Sequence, residues 1–300
     1  MLSRRSVLIA PIAGAVLAPA FAASGKMTLC MHQNTSRAAG FRKSLEGWAK
    51  AGIRNVEITD VMLEEFLKTD TLEAARKIVT DNGLKVVSCA AVLTDLFIQR
   101  PARAASLETW KKRLDQFATF GVDRAYCPAV TGPGMITEND YKGAPDCIRE
   151  FGEEAKKRNL IAMIEFARNS AFIGTLTTSL KLIREAAHPS VRPMLDFYHF
   201  WYGLGKFEDL DLLKPGELAH CHFQDTPDMP RELFTNQTRF IPGDGIAPLE
   251  KILKKLQEKG YAGNLSVELF LPNLVNGDPQ MVASEIKMKS EAVMKKAKVL

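Results

Sequence analysis

Short apolar runs alternate with longer amphipathic ones from residue 23 to residue 300. The apolar runs are Met27–His32, Asn55–Ile58, Lys85–Ala90, Arg124–Pro128, Ile161–Phe166, Arg192–Asp196, His220–Phe223 and Leu265–Glu268. They are short and apolar on both faces, as strands of a buried parallel sheet should be. Between them, apolar positions recur at helical spacing over Phe41–Ala51, Leu63–Asn82, Ser106–Phe120, Asn139–Arg158, Leu176–Ala187, Pro248–Lys259 and Pro279–Lys298, with a shorter helix over Phe207–Leu213. Gly83, Gly121 and Gly260 stand just past predicted helix ends, where a left-handed residue closes the last turn. Thr71 and Glu73 are one residue too close for a capping box and predict nothing.

Strict alternation of eight strands and eight helices implies an α/β fold with a parallel sheet closed into a (β/α)8 TIM barrel, as a single domain over residues 23–300. The competing architecture is a doubly wound open sheet. It would want a glycine-rich phosphate turn after the first strand, and Met31–Ala39 contains no glycine.

The first residues read differently. Ser3-Arg4-Arg5-Ser6-Val7-Leu8 is a twin-arginine start, followed by an apolar stretch to Leu17 and a small-x-small site at Ala20-Phe21-Ala22. Residues 1–22 are therefore expected to be a signal peptide, removed on export to the periplasm. The apolar stretch is too short for a membrane span, so no stable insertion is expected after its removal. Losing Arg4 and Arg5 takes the formal charge from +5 to +3 (5 − 2). That is too mild for a nucleic-acid partner, and no basic run with interleaved aromatics occurs. The five cysteines are an odd number without a CxxC pair, and most sit in apolar, strand-like segments, so buried thiols are expected.

In a TIM barrel the active site forms where the strands end at their carboxyl side. The last four strands carry Glu165, Asp196, His222 and Glu268 there, each among apolar neighbours. A buried carboxylate must be neutral, paired or bound to a cation. Arg192 or Lys85 could pair any one acid, but four successive strands offering such side chains at one depth point to a cation. Three carboxylates and an imidazole suit one divalent ion: Mn²⁺, Mg²⁺, Co²⁺ or Zn²⁺. His220 shares a face with His222 one layer deeper and reads as a hydrogen-bonded core residue. Glu57 and His32, at the ends of the second and first strands, are expected to line the pocket.

The stretches Leu195-Asp196-Phe197-Tyr198-His199-Phe200, His222-Phe223-Gln224-Asp225-Thr226, Arg239-Phe240-Ile241-Pro242-Gly243-Asp244-Gly245 and Ser266-Val267-Glu268-Leu269-Phe270 resemble the xylose-isomerase-like TIM-barrel superfamily of sugar phosphate isomerases and epimerases. Within it the wording is most similar to inosose (2-keto-myo-inositol) isomerase, with hydroxypyruvate isomerase and ketose 3-epimerases similar at the same places. The resemblance covers roughly the last half of the mature chain and is architectural before that. It implies that Glu165, Asp196, His222 and Glu268 bind one metal and that His199 and Arg239 meet substrate oxygens. Without it, Arg239 reads equally well as a solvated loop arginine.

The implied activity is isomerisation or epimerisation of a keto-sugar or keto-polyol. Glu165 and Glu268 would exchange the proton through an enediolate that the cation stabilises. An exported lyase or dehydratase acting on 3-keto-glycosides is the alternative, since it starts with the same proton abstraction. A non-catalytic sugar-binding protein is a further one. A DNA-repair endonuclease on this barrel would want more histidines than the five present. Trp201, Tyr202, Phe270 and Leu271 could cover the pocket or join a second copy in a homo-oligomer.

Overall fold

The computed structural model describes residues 26–300. The twin-arginine segment, residues 1–22, lies outside them. The strands are β1 (Thr28–His32), β2 (Asn55–Thr59), β3 (Lys85–Ala90), β4 (Arg124–Pro128), β5 (Ile161–Glu165), β6 (Val191–Asp196), β7 (His220–His222) and β8 (Asn264–Val267). All pair in parallel with their sequence neighbours, and β1 also pairs with β8 from Thr28↔Asn264 to Met31↔Val267. The sheet is thus a closed barrel, not an open doubly wound one.

Side chains alternate along each strand, and the two sets pack differently. Val56, Ile58, Cys89, Ile164, Leu195, Cys221 and Leu265 face outward into one large apolar core beneath the helices. Ala90, Tyr126, Met163, Met194 and Ala219 face inward as a small apolar plug. Above and around that plug the interior is polar: His32, Glu57, Ser88, Asp196, His220, His222 and Ser266 are all fully buried.

The helices are α1 (Gly40–Lys50), α2 (Asp60–Leu67), α3 (Leu72–Asp81), α4 (Arg103–Ala118), α5 (Glu138–Lys156), α6 (Leu176–Ala186), α7 (Phe197–Tyr202), α8 (Leu249–Glu258), α9 (Pro272–Val275) and α10 (Pro279–Lys296). Helix α8 shows the governing pattern: Leu249, Ile252, Leu253 and Leu256 are buried at i, i+3, i+4 and i+7. Gly83, Gly121 and Gly260 do adopt positive φ.

Two predicted elements differ. The single helix over Leu63–Asn82 is two, because Thr71 caps a new start by accepting from Ala74 N–H. Phe207–Leu212 is a 3-10 helix rather than an α-helix. Helix α7 was not predicted: its all-aromatic sequence has no polar face to mark a period. All five cysteines are buried and free. Among the described residues no helix is long and apolar enough to cross a membrane.

Candidate active site

Glu165 ends β5, Asp196 ends β6, His222 ends β7 and Glu268 follows β8 by one residue. Parallel register puts Asp196 beside His222, and His222 beside Ser266, two residues before Glu268. One ligand atom from each of the four residues lies within 4.8 Å of the others. His222 Nδ1 stands 2.9 Å from Glu165 Oε1, 3.3 Å from Asp196 Oδ2 and 3.5 Å from Glu268 Oε2.

Arg239 reaches this group from the loop between β7 and α8. Its Nη1 donates to Asp196 Oδ2 at 2.8 Å and to Glu268 Oε2 at 2.5 Å. It is therefore a buried site arginine rather than a solvated one. The loop is held by Asp225, whose carboxylate accepts from the backbone N–H groups of Thr226, Gly243, Gly245 and Ala247. Gly245 packs so closely that a β-carbon there would run into the Thr226 carbonyl.

His199, in the first turn of α7, sits 3.1 Å from Arg239 Nη2. Asp196 makes this turn: its Oδ1 caps α7 by accepting from His199 N–H at 2.7 Å. One aspartate thus faces the cluster with one oxygen and fixes the neighbouring histidine with the other. Gln224, not singled out from sequence, donates to Asp196 Oδ2 at 2.8 Å.

Two expectations need correcting. Glu57 and His32 do not line the pocket: both are fully buried beneath it. Glu57 Oε2 lies 3.0 Å from His220 Nε2 and 3.3 Å from His222 Nε2. His32 Nε2 lies 3.0 Å from Tyr126 Oη and 3.5 Å from Glu268 Oε1. The strands are short enough that side chains one layer below the rim are already sealed. Arg192 and Lys85 pair none of the site acids. Arg192 instead donates to the Glu217 and Gly216 carbonyls at the far end of the barrel. Asn34 was also missed; it donates to Glu268 Oε1 at 3.0 Å. Thr35 clamps the backbone on both sides of Glu268, donating to Val267 O and accepting from Leu269 N–H.

The electrostatics are lopsided. Four carboxylates (Glu57, Glu165, Asp196, Glu268) meet, and among the described residues the one guanidinium bonded to them is that of Arg239. Burial alone would raise every carboxyl here. At Asp196 and Glu268 burial is opposed by the Arg239 charge and by neighbouring histidines (His199 and His222 at Asp196, His32 and His222 at Glu268), which together hold both below the ordinary range. At Glu57 the two histidines do the same. Glu165 makes no bond to Arg239, and burial pushes it up to about 7. Burial would lower His222, but Glu57, Glu268 and Glu165 outweigh it and hold the imidazole well above its usual value. Burial, aided by Arg239, brings His199 down to about 4, so it is neutral at neutral pH.

Excess negative charge, an oxygen-rich donor set and a Glu165 Oε1 with no hydrogen-bond partner are what a divalent cation would satisfy. The residues present fit such an ion. A second triad of suitable type, His32, Glu57 and His222, lies one layer deeper.

A cavity of about 360 Å³ opens above the cluster. Glu165, His199, Arg239 and Glu268 form its floor, with Asn34, Asn169 and Asn236 around it. Val61, from the first turn of α2, and Val92 and Val130, from the loops after β3 and β4, line the opposite wall and remain partly exposed. A second cavity of about 430 Å³ lies at the other end of the barrel, lined by Arg124 and Arg192. Its arginines are already bonded to Asp123 and to backbone carbonyls, so it offers no comparable chemistry.

Residues 45–291 match the family model described as xylose isomerase-like TIM barrel, and the chain belongs to that family. It is 25% identical over 250 residues to the inosose isomerase of Halalkalibacterium halodurans, covering 82% of this chain and 89% of that one. It is 23% identical over 231 residues to the 3-dehydroshikimate dehydratase of Pseudomonas putida, covering 76% of this chain and 36% of that one. Among solved structures, the IolI protein with a bound zinc atom superposes with a TM-score of 0.83 at 23% identity, covering 90% of this chain and 99% of that one.

Proposed function

We propose that this member of the xylose isomerase-like TIM-barrel family is a divalent-metal-dependent isomerase or epimerase of a keto-sugar or keto-polyol. The observation that carries this reading is the convergence of Glu165, Asp196, His222 and Glu268 at the open end of the barrel, with too little positive charge of their own. The similarity to inosose isomerases supports the substrate class, and the zinc held by the structurally similar IolI protein supports the cation.

Isomerisation and epimerisation beside a carbonyl both begin with removal of a weakly acidic proton from carbon. A divalent ion bound by the four residues supplies Lewis acidity, which makes that proton more acidic. Glu165 and Glu268 come from β5 and β8 and both reach the cavity floor, so one can take the proton and the other return it. Asp196 is more enclosed, bonded by Arg239, Gln224 and the His199 backbone, and serves as an anchor. Neutral His199 and cationic Arg239 face the same cavity and orient and polarise the substrate's oxygens.

The dehydratase relative favours a second reading, in which the same abstraction is followed by loss of a leaving group from the carbon beta to the carbonyl. The intact donor set argues against a binding-only role. The test is incubation of the zinc- or manganese-loaded protein with inosose and, separately, with a 3-keto-glucoside in D₂O, read by NMR. Deuterium gained with carbon skeleton and substituents retained supports isomerase chemistry. Release of the aglycone supports the lyase. Neither event with either substrate counts against both. We also infer, from the twin-arginine start alone, a periplasmic location, which cell fractionation tests.

A further inference from the structure

Resting on the metal reading just given, we infer that Glu57 is a positioning residue that fixes which nitrogen of His222 faces the cation. Glu57 is fully buried on β2, on the side of His222 away from the other three acids. The ring of His222 has two ends. Nδ1 faces Glu165, Asp196 and Glu268 at 2.9, 3.3 and 3.5 Å. Nε2 lies 3.3 Å from Glu57 Oε2, within ion-pair distance but outside hydrogen-bond geometry, and has no hydrogen-bond partner.

A neutral imidazole carries one proton and one lone pair. If Nδ1 gives its lone pair to a cation among the three acids, Nε2 must hold the proton. Glu57, at 3.3 Å, is the carboxylate beside it. A carboxylate behind a ligating imidazole fixes the tautomer, orients the ring and makes the other nitrogen a better donor. The same Glu57 oxygen lies 3.0 Å from His220 Nε2, so His220 braces the carboxylate from below.

The same geometry decides against a second metal at His32, Glu57 and His222, although their ligand atoms are close enough for one. His32 Nδ1 accepts the Asn34 N–H at 3.2 Å, which leaves the proton on Nε2, pointing at Tyr126 Oη. His32 then has no lone pair to offer toward Glu57. With Nε2 of His222 protonated too, Glu57 would be the triad's sole donor.

The experiment compares the metal-stripped wild-type protein with Glu57→Gln. Zinc affinity is measured by chelator competition, and cobalt(II) loading is followed by visible absorption. The variant should bind zinc roughly 10- to 100-fold more weakly, and its cobalt bands should shift because His222 is a poorer, less fixed donor. Circular dichroism checks that Glu57→Gln folds. A readout independent of that variant is ¹⁵N–¹H correlation of the zinc-loaded wild type, with the His222 signals assigned by their loss in His222→Gln. It should show Nε2 protonated and Nδ1 ligated. Protonation at Nδ1, or zinc affinity and cobalt bands unchanged in a folded Glu57→Gln, overturns the role of Glu57 alone. A wild-type protein that takes up neither zinc nor cobalt overturns the metal reading and this inference with it.

Discussion

Arg239 Nη1 and Asp196 Oδ2 lie 2.8 Å apart inside the barrel mouth, so the site brings part of its own counter-charge from a loop. Removing one partner of a buried ion pair leaves the other uncompensated, at roughly 3–5 kcal/mol. Arg239→Met should therefore destabilise the metal-free protein by about that much. With zinc bound, the ion neutralises Asp196 and Glu268, and the loss should shrink. Urea unfolding with and without zinc measures both values. An equal loss in the two forms would show that Arg239 does not serve as counter-charge.

Glu268→Gln should keep the fold and lower turnover by about 10²- to 10⁴-fold, the usual worth of a positioned acid or base. Exchange of the substrate's carbon-bound proton with solvent should stop. Continued deuterium incorporation would remove Glu268 from the proton-transfer role and leave Glu165 to fill it.

Zinc uptake should release protons near neutral pH. A metal ligand must be deprotonated. Glu165, raised to about 7, keeps its proton in much of the metal-free population at pH 7, and His222 holds its own above its usual range. Both pKa shifts are upward, so protons compete with the ion at low pH and affinity climbs as pH rises from 6 to 8. Calorimetry in buffers of different ionisation enthalpy counts the protons released; a pH-independent affinity contradicts the assignment. At a zinc concentration about 100 times Kd, the ion should add roughly 2.7 kcal/mol of stability, removed again by chelation.

Asp225→Ala should loosen the loop that carries Arg239. The carboxylate accepts four backbone N–H groups, and hydrogen bonds to a charged group contribute about 1.5–3 kcal/mol each. A loss of at least about 3 kcal/mol is expected, together with faster amide exchange at Gly243, Gly245 and Ala247. Asp225→Asn keeps one acceptor oxygen and should fall between. Protection unchanged in Asp225→Ala would mean that the loop is held by other contacts.

The positions of Glu165, Asp196, His222 and Glu268 were legible because each interrupts a short apolar run at the same point. Period-two alternation then aims them all inward. The same alternation runs through Asn55, Glu57 and Thr59 on β2, and applied there it would have put Glu57 inside the barrel. It could not give the depth at which a side chain passes from rim to floor, because that depends on where neighbouring strands end. Asn34, Gln224 and Asp225 lie in segments whose shape is set by tertiary hydrogen bonds, and nothing periodic marks them. Helix α7 escaped because its aromatic run shows no polar face, and its cap, Asp196, carries the same sequence signal as a candidate ligand.

The four converging donors all lie at the carboxyl ends of β5 to β8, whereas the valines on the facing wall come from α2 and from the loops after β3 and β4. The apolar wall and the acidic centre are thus supplied by different stretches of the chain. Randomising Val61, Val92 and Val130 while keeping Asn34 and Thr35 should redirect the barrel to other molecules and leave the acidic centre intact, so what is accepted could be changed without rebuilding how it is transformed.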